Sequence, residues 1–335
     1  MKDSREYLNE LAADIATEWD LYRNNQFSSL QASSDDGEAV CYLCLDGGVD
    51  ESCEPLQRDC ACRGTDAGFV HLECLTKYAA AKSVQWDGRE MNEFSNPWHT
   101  CPNCHQEYQN YFAVDIATEF VSFVRRQYPD NTPKQVESLY VKLCALMDVF
   151  DRVPPVQKRE AGVTANVILS FIDRMKNDAP LTRRYSKFEA NAHGFHGRIA
   201  LDEGSEESAR RAVVHFERKI ELSKAIGDDE GVATAKRNIA QAKSKYEGGR
   251  NSTEELLKAS QELYELRVAK HGEGNLLTID SGVIYAVNLQ KANRGNEARD
   301  FLAKVLETSK QVLGSDHSTT KAVASALSTC RFLFG

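Results

Sequence analysis

Eight of the chain's ten cysteines fall between residues 41 and 104, seven of them in paired arrangements: Cys41-x2-Cys44, Cys60-x-Cys62 and Cys101-x2-Cys104, with Cys74 joined to His71 as H-x2-C. These eight donors divide into two sets of four. Thiolate and imidazole are the ligands Zn²⁺ prefers in tetrahedral sites, because it imposes no geometry of its own. A C-x2-C turn lets two sulfurs face one ion while N–H groups of the turn hydrogen-bond the thiolates. Binding deprotonates the thiols, so the ion supplies most of the local folding energy, on the order of 10–16 kcal/mol per structural site. Cys53, Cys144 and Cys330 stand alone and read as core or surface thiols. Cys53 is an alternative donor to Cys60, and His99 and His105 are alternatives near the last pair.

The full pattern is C-x2-C-x15-C-x-C-x8-H-x2-C-x26-C-x2-C. It resembles the RING-CH (RING-variant, C4HC3) zinc finger. The single residue between the third and fourth ligands separates it from PHD fingers, and a conventional RING would carry histidine where Cys62 stands. The flanking "CRGTDAGFVHLECLTKY" is similar to the core of that family. One departure is an extra residue between Cys62 and His71, in the loop "RGTDAGFV", which Gly64 and Gly68 can absorb because glycine tolerates positive φ. The resemblance implies a small cross-brace of α+β type: Cys41, Cys44, His71 and Cys74 on one Zn²⁺, Cys60, Cys62, Cys101 and Cys104 on a second. Both sites are then closed and structural, with no position for a catalytic water.

RING-CH fingers typically serve as E3 ubiquitin ligases without a nucleophile or base, by holding a ubiquitin-loaded E2 in a reactive arrangement. The resemblance carries E2 contacts onto Leu43, Pro102 and Tyr78, the last replacing a frequent tryptophan. It also carries one onto His105, where active RINGs often place arginine or lysine. The other reading is a non-catalytic adaptor, a zinc-stapled protein-binding module.

The elements around the finger are helical. Leu8, Leu11, Ile15, Trp19 and Tyr22 recur at helical spacing ahead of a polar linker at 28–37. "NTPKQVESLY" predicts a helix with Thr132 as N-cap and Pro133 in its first turn, and a second helix is expected at about 156–176. Farther on, "HGEGNLLT" and "LGSDHSTT" place Gly272 and Gly314 forty-two residues apart, after a looser copy, "IGDDEGVAT". Paired helices at 278–292 and 297–312 lie between these turns. Such a period marks a solenoid. Ala286, Leu289, Ala298, Leu302 and Val305 match tetratricopeptide (TPR) positions, and the "LGxDHxxT" turn resembles kinesin-light-chain repeats, with Ser318 where a proline is usual. That resemblance implies a groove for a protein or peptide, and assigns His271 and His317 to turn chemistry.

The layout expected is an acidic N-terminal helix and linker (1–37), the finger (38–110), a helical connector or cap (111–180) and an all-α, TPR-like solenoid (181–335). A net charge of −9 argues against nucleic-acid binding. Neither a basic-then-apolar leader nor a membrane-length apolar run is present, so a soluble cytosolic or nuclear protein is expected, where paired cysteines read as metal ligands. Walker, nucleophile-elbow and dinucleotide motifs are missing from the sequence, and catalysis by the helical half is not expected.

Overall fold

The structure is a computed structural model that describes residues 39–334 except 50–54, 61, 63–67, 87, 89, 152–154, 179, 247–249 and 316. The expected stripe from Leu8 to Tyr22, the linker, Cys53 and Gly64 lie outside the described residues. Among those described are twelve α-helices and no sheet, with isolated antiparallel bridges at Val49↔Pro55, Gln57↔Val70 and Thr100↔Glu107. The β part expected of the finger is therefore reduced to single bridges: each extended segment runs into a donor-bearing turn before a ladder can form. No described helix is long and apolar enough to cross a membrane. The chain divides into two compact units, Met1–Val167 and Ile168–Gly335.

In the first unit, α1 (Leu72–Val84) begins directly after His71, so His71 is its N-cap and Cys74 sits in its first turn. A short α2 (Met91–Ser95) and a 3₁₀ turn (Asn96–Trp98) lead to the last cysteine pair. The long α3 (Asn110–Gln127) and α4 (Thr132–Asp148) then pack as a hairpin. The fully buried Trp98 ties these pieces together. Its ring stacks on Phe120 of α3 with centroids 5.0 Å apart and meets Phe123 at 5.2 Å. Its Nε1–H donates to Ser83 Oγ at 2.8 Å, and Ser83 donates on to the Phe94 carbonyl at 2.8 Å. A buried indole thus has its one donor satisfied while it joins α1, α2 and α3.

The start of α4 differs from expectation in one detail. Its N-cap is Asn131, whose side chain accepts from the Lys134 N–H at 3.0 Å. Thr132 is already helical. An amide oxygen one residue earlier reaches the free N–H that the threonine hydroxyl was expected to cap.

α5 (Pro155–Asp178) contains the division between the units. The second unit continues with α6 (Arg183–Asp202), α7 (Glu206–Ala225), α8 (Asp229–Tyr246), α9 (Arg250–His271), α10 (Leu276–Lys291), α11 (Gly295–Leu313) and α12 (Ser318–Phe334). From α6 on, each helix packs against its neighbours in sequence, and α6–α8 and α10–α12 add contacts one step farther. This is nearest-neighbour, solenoid-like packing. The repeat shows in its turns. Gly272 and Gly314 both adopt positive φ (82° and 91°) and donate N–H bonds to the carbonyl four residues back, at 2.9 and 3.0 Å. Three residues after each glycine a side chain caps the next helix: Asn275 Oδ1 accepts from Leu277 N–H at 2.9 Å, and His317 Nδ1 from Thr319 N–H at 3.2 Å. His317 is thus a helix cap. His271 holds Glu230 of the preceding turn at 3.0 Å. Ala286, Leu289, Ala298, Leu302 and Val305 are all buried.

Candidate metal centre

The two C-x2-C segments, sixty residues apart in sequence, fold into the same turn. Cys41 N–H donates to the Asp46 carbonyl and Leu45 N–H to the Cys41 carbonyl, at 2.9 and 2.8 Å. Cys101 N–H donates to the Gln106 carbonyl and His105 N–H to the Cys101 carbonyl, both at 2.9 Å. The residue after each second cysteine takes a left-handed backbone, Leu45 at φ 66° and His105 at φ 57°. Two non-glycine residues in that sparsely occupied region, at the same register of the same turn, indicate a loop shaped around a common requirement. That requirement is to point two sulfurs at one place.

Each turn meets its second pair of donors from elsewhere in the chain. Among the described residues, two groups of four donors have all their ligand atoms within 4.8 Å of one another: Cys41, Cys44, His71 and Cys74, and Cys60, Cys62, Cys101 and Cys104. Cys44 Sγ lies 3.5 Å and Cys74 Sγ 3.8 Å from His71 Nδ1, and Cys62 Sγ lies 3.7 Å from Cys101 Sγ. A tetrahedral ion with sulfur arms of about 2.3 Å and a nitrogen arm of about 2.05 Å has edges of roughly 3.8 Å (S···S) and 3.6 Å (S···N). These three separations match the edges of such a tetrahedron and are far too long for disulfide bonds at about 2.05 Å. Each group could therefore hold one metal ion. The groups interleave in sequence, and the chain between them is cross-tied. Tyr42 N–H donates to the Phe69 carbonyl, Gln57 and Val70 exchange both backbone bonds, and Asn110 Nδ2 donates to Asp59 Oδ1 at 2.7 Å. His99 and His105 belong to neither group. Cys144 is half-buried on α4, and Cys330 is buried beside the Gln290 amide.

The electrostatics ask for a cation. Hydrogen bonding from Cys60 holds the Cys101 thiol down to about 5, and the same bond, with burial, pushes Cys60 up. Burial and the neighbouring sulfurs push Cys62 up to about 12. In the other group burial raises Cys41, but amide donors at Cys44, His71 and Leu43 outweigh it and bring the thiol to about 7. Burial and the Cys44 thiol push Cys74 up to about 12. Deprotonating one thiol in each group thus hinders the next, and a bound dication would reverse that order. The half-buried Tyr42, rooted in the first turn, feels the sulfurs of the second group. Its phenol and that of Tyr108 are pushed up chiefly by burial and further by Cys101 and Cys60.

Gly68 closes the second group. Its φ is +85°, and a Cβ there would come 2.7 Å from Cys62 Cβ, 3.2 Å from Cys62 Sγ and 3.3 Å from Cys60 Sγ. Of the remaining residues singled out in the sequence, Leu43 and Pro102 are half-buried inside the two turns, and His105 is exposed. Tyr78 is half-buried on α1 with the Lys82 ammonium 5.8 Å over its ring.

No protein-family model matches the chain, and no curated protein matches it. A crystal structure of BtubC (BKLC) from P. vanneervenii superposes with a TM-score of 0.42 at 14% sequence identity, covering 66% of this chain and 90% of that one.

Proposed function

We propose that each donor group holds one structural Zn²⁺, and that residues 38–110 form a RING-CH-type finger. On this reading the finger docks a ubiquitin-conjugating enzyme (E2) while the second unit binds a protein substrate, making the chain an E3 ubiquitin ligase. The observation that carries the reading is the pair of interleaved four-donor groups, seven thiols and one imidazole, each group with its ligand atoms all within 4.8 Å of one another. Thiolate-rich closed tetrahedra select Zn²⁺ over the harder dications. With no vacant position, the ions staple the fold and leave the chemistry to the E2 thioester. The ligase works by positioning, which brings an acyl donor and a substrate lysine within reach of each other. Leu43 and Pro102 from the two turns and Tyr78 from α1 supply the apolar E2 contact, with His105 at its rim. The nearest-neighbour packing of the second unit supports a role in holding a protein or peptide. A second reading, a non-catalytic adaptor, is favoured by His105 itself: an imidazole is a weaker donor than the arginine or lysine that ligases of this kind often place there.

Metal analysis of the purified chain is expected to give two Zn²⁺ per molecule, and fewer overturns the finger. Incubation with E1, ATP, ubiquitin and a panel of E2 enzymes is expected to give self-ubiquitination that Leu43→Ala abolishes with zinc content unchanged. Silence with every E2, at full zinc content, selects the adaptor.

A further inference from the structure

Away from the finger, the second unit gathers three of the chain's eight histidines in one place. His193 and His196 lie one turn apart on α6, and His215 faces them from α7. The Nδ1 atoms of His193 and His215 are 3.3 Å apart. The His196 ring stacks on His215 with centroids 5.2 Å apart and planes 26° from parallel. Its Nε2 is buried without a partner.

Glycines on α6 allow the close approach. The segment "HGFHG" (193–197) puts Gly194 and Gly197 on the face of α6 that receives α7. A Cβ on Gly194 would come 2.8 Å from Lys219 Cδ, and one on Gly197 would come 2.5 Å from the Phe216 ring. At Gly197 a side chain would have to displace the Phe216 ring, next to His215, whereas at Gly194 the flexible end of Lys219 could give way. The helices are therefore brought close at the point where the imidazoles face one another.

We propose that His193, His215 and His196 form a binding site for one divalent transition-metal ion of the imidazole-binding class, such as Zn²⁺, Co²⁺ or Ni²⁺, clamped between the Nδ1 atoms of His193 and His215. Two nitrogens on one tetrahedral ion at about 2.05 Å stand roughly 3.3 Å apart, which is the separation the structure already has. His196, whose buried Nε2 has no partner, is assigned as the third ligand and must turn its ring to reach the ion. Burial and neighbouring charge disfavour a second proton on each of the three rings. Burial, then the neighbouring His215 and the Arg218 and Lys176 cations, hold His193 down to about 4 against the opposite pull of Asp173. Burial and the other two rings hold His196 to about 4, and burial with Arg211 lowers His215. Binding leaves the pair neutral: the ring that carries its proton on Nδ1 holds it on Nε2 instead. The facing cations are themselves compensated, since Glu189 takes Lys176 at 2.7 Å and Arg218 at 3.8 Å, and Glu203 pairs with Arg211.

The test uses the full chain with its cysteine groups first saturated with Zn²⁺. Titrated Co²⁺ is expected to bind one further equivalent. Its visible absorption should be that of nitrogen and oxygen ligands, without the near-ultraviolet thiolate charge-transfer band that cysteine sites give. In histidine-selective ¹⁵N spectra of the wild-type chain, three of the eight histidines should broaden. The His193→Ala/His215→Ala variant should lose the saturable equivalent while retaining its helical circular dichroism. No further equivalent, a thiolate band, broadening of other histidines, or unchanged binding by a folded double variant would each overturn the site. Should the variant unfold, the wild-type histidine spectrum decides alone.

Discussion

Gly68→Ala is the sharpest probe of how the second donor group is built. The substitution adds one methyl group and acts in two ways. A non-glycine residue at φ +85° carries left-handed strain of about 1–2 kcal/mol. The new Cβ also lies 2.7 Å from Cys62 Cβ and 3.2–3.3 Å from the Cys62 and Cys60 sulfurs, separations the neighbours must relieve. Crowding of that kind costs about 1–3 kcal/mol in a packed site, and it falls on ligands whose metal distances hold to about 0.2 Å. The sum, about 2–5 kcal/mol, corresponds to a metal affinity lower by roughly 30- to 4,000-fold. Gly48→Ala is the matched control, because φ there is +83° and a Cβ would meet nothing within 4 Å. It should show the strain alone, about five- to thirtyfold. Competition with a chromophoric chelator measures both, and the weakened ion in Gly68→Ala should be the one bound by Cys60, Cys62, Cys101 and Cys104. Gly68→Ala within threefold of wild type, or Gly48→Ala as damaging as Gly68→Ala, would refute the reasoning.

Two further outcomes follow from the packing. Trp98→Ala removes the indole that joins α1, α2 and α3 and leaves Ser83 without its donor, so thermal unfolding should show a loss of about 3–5 kcal/mol in the first unit; a loss under 1 kcal/mol would mean the aromatic cluster is not what joins them. Glu230 is raised by burial, but hydrogen bonds from His271 and Lys270 and the charge of Arg267 outweigh this and hold its carboxyl near 2, below the usual 4.5. A lowered folded-state value means the stabilisation is full above about pH 4.5 and fades as pH falls toward 2. The stability difference between wild type and Glu230→Gln should therefore be about 1–3 kcal/mol at pH 7 and shrink toward zero by pH 2; a pH-independent difference would refute the assignment.

Local patterns were the legible part of this chain. The helices at 155–178, 276–291 and 295–313 follow from apolar periodicity and punctuation. The left-handed turns at Gly272 and Gly314 follow from their spacing, because each is decided within a few residues. The donors of both groups were legible too, since C-x2-C, C-x-C and H-x2-C are short-range statements about sulfurs that must point one way. Less legible was the cap of α4, where Asn131 and Thr132 are neighbours of nearly equal propensity and only the actual reach to Lys134 chooses between them.

What the tertiary structure decided is everything that depends on one segment meeting another. The sequence determines that each C-x2-C turns back on itself; the fold determines that the first faces His71 and Cys74 and the second faces Cys60 and Cys62, because the Gln57–Val70 and Asp59–Gln109 hydrogen bonds set the register between them. Gly68 was readable as a flexible loop residue, yet its close approach to Cys62 exists only in three dimensions. The histidine cluster carried even less signal. Two histidines one helical turn apart and a third nineteen residues later mean nothing until α7 packs on α6 in one register. The close approach is allowed above all by the absent side chain of Gly197 against Phe216, so a helix-weakening residue in the sequence becomes, in the fold, part of what lets the imidazoles meet.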